Sequence, residues 1–165
     1  MDFRAARFSR GMTLIELMVV VVIATILMSI AVPSYMSQVR QSRRIEAKTA
    51  LLDLAGREER FFSTSVNGAN YSQTSTDLGY PVGAWPQVVG SGYYTVTVCG
   101  LGPGMSAGCK YTAQTAPGYE IDAAPVAGTS QAADTKCASF AVDNTGTQWA
   151  RDVNNNDTTA YCWAN

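Results

Sequence analysis

From Met12 to Val32 the chain is a run of apolar side chains, broken by Thr13, Thr25, Ser29 and a single ionisable residue, Glu16. As a helix these twenty-one residues reach roughly 30 Å, about the thickness of a bilayer's hydrocarbon core. Pro33 closes the run, yet the pattern beyond it is still helical. At 100° per residue, Ala47, Ala50, Leu51, Leu54, Ala55, Phe61 and Phe62 share one sector. Asp53, Arg57 and Arg60 lie outside it, and Ile45 and Leu52 form another apolar side. A proline inside a helix removes one hydrogen bond and bends the axis. The pattern therefore predicts one long helix from about Thr13 to Phe62, bent or locally melted near Pro33. Its main sector is expected to cover a β-sheet of the same chain, and the Ile45/Leu52 side to meet other helices.

Residues 63–92 are rich in Ser, Thr, Gly, Asn and Pro and read as a long ordered connection. Tyr71, Leu78, Tyr80 and Trp85 are enough to pin it down, with a short helical turn starting at Thr76 or Asp77. Alternation of polar with β-branched or aromatic residues then marks strands at Tyr93–Cys99 and Gly118–Ala123. Two more, Ala138–Val142 and Thr147–Arg151, flank Asp143-Asn144-Thr145-Gly146, a hairpin turn. Four antiparallel strands against one long helix make an α+β architecture. It divides into a basic leader at 1–11, a membrane helix half at 12–33 and an amphipathic helix half at 34–62. The connection at 63–92 and the sheet with its C-terminal loop at 93–165 complete it.

Charge sharpens the picture. Net charge is −1, but the part up to Phe62 carries nine Lys/Arg against six Asp/Glu, and the rest three against seven. Arg4, Arg7 and Arg10 precede the apolar run against a single Asp2, so the positive-inside rule keeps that end in the cytoplasm and sends the rest outward. Arg40, Arg43 and Arg44 just past the run are read as solvated or paired with acids of neighbouring helices, with contact to lipid headgroups before assembly as the alternative. The acidic outer part lacks the electrostatic footprint of a general nucleic-acid binder, and nucleic acid is not the expected partner.

Cysteines stand at 99, 109, 137 and 162. In an exported domain an even number reads as disulfides, here with three possible connectivities. The pairing that closes two local loops, Cys99–Cys109 and Cys137–Cys162, is the expected one. There is no histidine and no C-x-x-C, so a zinc site is excluded, and the compartment is an oxidising one.

Glu16 makes the apolar run unusual, because an acid within a membrane helix costs about 2.5–3.5 kcal/mol on insertion scales and marks a functional position. It is also too long and too acidic a segment for an ordinary secretory signal peptide. Thr13-Leu14-Ile15-Glu16, directly after Gly11 and a basic leader, resembles the processing site of type IV prepilins. The resemblance implies a pilin fold, with cleavage by a prepilin peptidase between Gly11 and Met12 and N-methylation of the new Met12 terminus. Met12 stands where the family usually has Phe, and Pro33 matches a proline common in pilins. The resemblance further implies that Glu16 of one subunit meets the α-ammonium of Met12 of its neighbour in the fibre. Thr76-Asp77-Leu78-Gly79-Tyr80-Pro81 resembles the helix-to-sheet connection of pilins, and the closing Cys162-Trp163 resembles the C-terminal disulfide loop of PilE-type minor pilins.

The function this implies is a structural subunit, a minor pilin, of a type IV pilus serving adhesion, twitching motility or fibre assembly. Its partners would be other pilin subunits, the prepilin peptidase and the inner membrane before export to the fibre. A type II secretion pseudopilin, and a pilus-borne DNA-binding or adhesin subunit, are the alternatives. Enzyme chemistry finds no support: without histidine there is no Ser-His-Asp or Cys-His arrangement, and there is no phosphate or dinucleotide loop. Glu120 and Asp122 share one strand face and read as solvated surface acids. Asp152, Asn154 and Asn156 space oxygen atoms like the start of a calcium loop, but Asp157 stands where that loop needs glycine and Trp163 where it needs Glu. The loop therefore reads as solvated, and no metal or cofactor is expected.

Overall fold

The computed structural model describes residues 12–65, 70–101, 111 and 117–164. Helix α1 runs Leu14–Thr64 and stays helical through Pro33. The chain divides into two compact units, one ending at Gln38 and one beginning at Val39.

The first unit is the apolar half of α1. It is long and apolar enough to cross a membrane by length and composition, with a mean hydropathy of 2.7 over eighteen residues. Thr13 starts it: the Glu16 N–H donates to Thr13 Oγ1 at 3.3 Å and the Leu17 N–H to the Thr13 carbonyl. Thr13-x-x-Glu16 thus has the spacing of a capping box, and Glu16 sits in the first turn, where the positive end of the helix favours an acid. Thr25 and Ser29 return their hydroxyls to carbonyls of the preceding turn, so neither brings an unsatisfied donor into an apolar setting.

In the second unit α1 lies against a sheet. Arg44, Ala47, Leu51, Leu54 and Glu58, spaced three and four apart, are its buried face. Ala47, Leu51 and Leu54 join the core as expected, with Ala50, Ala55 and Phe61 packed at its margin. Ile45 and Leu52 are left exposed.

Among the described residues the sheet has five antiparallel strands rather than four, in the order β1-β2-β3-β4-β5. The additional strand is β1 (Gln87–Val89), which falls inside the expected connection. It pairs with β2 (Tyr94–Leu101), followed by β3 (Gly118–Pro125), β4 (Ser139–Asp143) and β5 (Gln148–Arg151). Tyr94, Val96, Val98, Tyr119, Ile121, Ala123, Phe140, Val142 and Ala150 meet the helix in one core. The β4–β5 turn is fixed by Asp143, whose Oδ1 accepts the N–H groups of Thr145 at 2.9 Å and Thr147 at 3.0 Å. Gly146 takes φ +79° there, a value a side chain would strain.

The connection after α1 is tied down by the side chains expected to do so. Leu78 is buried, Tyr71 stacks on Phe62 and meets Tyr119 edge-on, and Tyr80 leans on Trp85. A 3₁₀ turn at Ser130–Ala133 bridges β3 to β4, and a short helix α2 (Thr159–Ala164) ends the described chain where only a polar loop and tail were expected.

Candidate functional site

Gly11 lies outside the described residues. Met12, Glu16 and Pro33 are all solvent-facing in the isolated chain, at the start of or on a helix whose large apolar side chains are exposed from Leu14 to Met36. Such a surface is stable only in lipid or against other apolar helices. The end at which the sequence places processing therefore has its carboxylate four residues from the α-amino group that such a cleavage would create.

The basic stretch beyond the apolar run behaves differently from expectation. Arg44 is buried: its Nε and Nη2 donate to the two oxygens of Asp134 at 2.8 and 3.0 Å. Burial opposes its charge, but hydrogen bonds to Asp134 and Tyr161 outweigh that cost and raise its pKa. Asp134 also accepts from Gln131 Nε2 at 3.2 Å and from the Cys137 N–H. Gln131 Nε2 reaches the Tyr94 hydroxyl at 2.9 Å and the Arg40 carbonyl at 3.4 Å. Arg43 lies 3.5 Å from the centre of the Tyr93 ring and donates to Ser130. These arginines fasten the helix to its own domain instead of being solvated, because the turn at 130–134 supplies an acid that the sequence places ninety residues away.

Cys137 and Cys162 are bonded, with Cα atoms 5.8 Å apart across 25 residues, as expected. Lys48 Nζ donates to the carbonyls of Cys162 and Trp163 at 3.3 Å, satisfying the C-terminal end of α2. Burial, and then the Arg44 charge, lower its pKa. Lys136 and Arg44 both lie near the half-exposed ring of Tyr161. The disulfide loop thus gathers Lys48, Lys136 and Tyr161, a grouping that distance along the chain conceals.

On the other sheet face Glu120 and Asp122 are buried, not solvated as the strand pattern suggested. Both oxygens of Glu120 accept the Tyr111 N–H, at 3.1 and 3.3 Å, and the Tyr111 ring stacks on Trp149. The Cys99 sulfur approaches these two acids, but it is disulfide-bonded and is no thiolate ligand. Cys109, its expected partner, lies outside the described residues. In the 152–156 loop both Asp152 oxygens are turned inward. They accept the N–H groups of Asn154 and Asn156 and the Asn156 side-chain amide, all at 2.8 Å, and the Asn156 side chain first among them lowers the Asp152 pKa.

Residues 6–32 match the prokaryotic N-terminal methylation motif. Residues 33–141, more than half of the chain, match the family described as type IV minor pilin ComP, DNA uptake sequence receptor. The type IV major pilin protein PilA of Myxococcus xanthus (strain DK1622) is 40% identical over 80 residues, 47% of this chain and 35% of PilA. The chain thus spans about a third of the length of the curated relative it matches. An apolar helix begun by a methylation motif, a helix-backed antiparallel sheet and a C-terminal disulfide loop occur here together, and the chain belongs to the ComP family of type IV minor pilins.

Proposed function

We propose that the protein is a structural subunit of a type IV pilus, present in minor proportion. Its precursor is held in the inner membrane by α1 and cut between Gly11 and Met12 by a prepilin peptidase. It is then N-methylated at Met12 and packed with other pilin subunits into an extracellular fibre. The observation that carries this reading is the first unit of α1, whose apolar side chains are exposed along its length, with Glu16 in its first turn. Within apolar surroundings the Glu16 carboxylate and the new α-ammonium each carry a desolvation cost that pairing between subunits reduces. That pairing gives the acid a use in setting axial register.

Intact mass and N-terminal sequencing of protein from sheared fibres, wild type beside Gly11→Ala, test it. A mature chain beginning at N-methylated Met12, absent in the variant, is expected. An uncut chain in fibres, or a start near Val32, overturns the processing step.

A second role, contact with DNA by the exported domain, is favoured by the description of the matched family and by the cations beside Cys137–Cys162. Lys136 is exposed and Tyr161 offers a half-exposed ring, a pairing suited to a phosphate and a base. The acidic balance of the surrounding domain limits any such contact to that local patch.

A further inference from the structure

Two charged side chains lie on the buried face of α1, and they are treated differently. Arg44 has its counter-ion in Asp134; Glu58, fully buried, faces no cation within hydrogen-bonding distance among the described residues. Its Oε2 accepts the Ser72 N–H at 3.0 Å, while Oε1 is buried without a hydrogen-bond partner. The ionisable groups facing it are Glu59 on α1, Asp77 and Tyr71 on the 70–80 connection, and Tyr119 on β3. Two are acids and two are phenols, and the Tyr71 hydroxyl is already given to Glu59 at 3.2 Å. Arg57, next in sequence, is engaged elsewhere, by Asp53 at 2.8 Å and the Leu78 carbonyl at 2.9 Å.

A buried carboxylate with one orphan oxygen and acidic neighbours is tolerable when protonated and costly when ionised. Ser72 is where that cost is felt. Its N–H is held by Glu58, its hydroxyl donates to Asp77 at 2.9 Å, and the same oxygen accepts the Thr74 N–H. We propose that Glu58 is a protonation-controlled latch: neutral, it lets the 70–80 connection close over α1 with Oε1 dry; ionised, it draws water to that oxygen, and the opening this needs outweighs the stronger Ser72 N–H bond and releases the connection. The segment it holds includes Gly79 and Tyr80, one wall of an open groove of about 780 Å³ whose other walls are α1 at Ile45 and Ala50 and β1 at Val88. Release therefore remodels a surface that the subunit presents.

Burial, opposed by the Ser72 N–H and assisted by Glu59 and Asp77, pushes the Glu58 carboxyl up to about 7. The folded domain then keeps a proton that the unfolded chain has lost. The stability from this group is whole below the ordinary carboxylate range and is lost as pH rises through about 7.

The test is amide hydrogen exchange on the full chain in detergent micelles, from about pH 5.5 to about 8.5 and corrected for intrinsic exchange, with Glu58→Gln and Glu59→Gln beside the wild type. Wild-type protection at Ser72 is expected to fall about tenfold or more across that range while Ile121 in β3 holds steady. Glu58→Gln abolishes the pH dependence; Glu59→Gln retains it at lower pH, since one neighbouring negative charge is gone. Wild-type protection that stays flat with pH, or a Glu58→Gln protein that still loses protection, overturns the latch. Carbon-13 titration of the Glu58 carboxyl in the wild type gives an independent reading should the variant not fold. A midpoint in the ordinary carboxylate range refutes the proposal, and one near neutrality that moves with the Ser72 amide shift supports it.

Discussion

Arg44 and Asp134 meet across ninety residues of sequence and bury two charges that water would otherwise hold. Removing one partner of such a pair costs about 3–5 kcal/mol, because the other stays buried and uncompensated. Arg44→Ala is therefore expected to lose about that much stability, read as a lower denaturant midpoint at unchanged slope. Replacing both charges by apolar residues is often neutral elsewhere, but not here. Asp134 also accepts from Gln131 and from the Cys137 N–H, so Arg44→Met with Asp134→Leu leaves buried donors unmet. At about 1–3 kcal/mol for an unsatisfied buried group, the double variant should remain clearly below the wild type. A double variant as stable as the wild type would mean that the extra hydrogen bonds contribute nothing. Helical spacing put Ala47, Leu51 and Leu54 on the inner face, and all three are fully buried. The structure adds Arg44 and Glu58 to that face; a charged residue beside an apolar stripe reads as solvated until its partner is seen. Asp134 and Ser72, the partners, come from loops whose position periodicity does not encode.

Elements differ in legibility for a similar reason. Helix α1 and the β4–β5 hairpin carry long patterns and a turn signal, and their outlines follow from the chain alone. β1 has three residues, too few to show alternation, and α2 has six, too few to show a helical period. Both form because neighbours supply what they lack. β1 completes its ladder on β2, and α2 is bonded to the rest through Cys162, Lys48 and the Trp163 Nε1–H donated to the Trp149 carbonyl at 2.9 Å. Glu120 and Asp122 show the opposite failure: alternation correctly put them on one face, but not what covers that face. The dependence of α2 on its disulfide gives an element-scale prediction. Closing a loop of 25 residues stabilises by about 3.5 kcal/mol, so Cys137→Ala with Cys162→Ala should lose about 2–5 kcal/mol in chemical denaturation. Limited proteolysis should then cut first near α2, with the α1–sheet core still protected. Cleavage starting in the helix-to-sheet connection instead would mean that α2 is held by Lys48 and Trp163 without help from the disulfide.

For the molecule as a whole, the uneven charge decides how the two proposed roles can coexist. Cations concentrate before Phe62, where Arg43, Arg44 and Arg57 are turned onto a ring, Asp134 and Asp53, while the part beyond carries three cations against seven acids. The proposed fibre role needs no more than this, since in that reading association rests on the apolar half of α1. DNA contact asks for more. Duplex binding falls with salt at a slope near 0.9 per phosphate neutralised, so the exposed Lys136, with the half-buried Lys48 nearby, should give a slope of about 2 or less. Fluorescence anisotropy with a labelled duplex, run on the micelle-held chain at about 50 and about 200 mM salt, measures that slope. Lys136→Ala should lower it by about one and weaken binding alike for every sequence, the mark of a phosphate contact. Lys48 is the poorer choice for substitution, because it also satisfies the end of α2. A steep slope untouched by Lys136→Ala would place the DNA surface elsewhere on the domain. Absence of binding at the lower salt would leave the chain a structural subunit, with Lys136 and Tyr161 only closing its C-terminal loop.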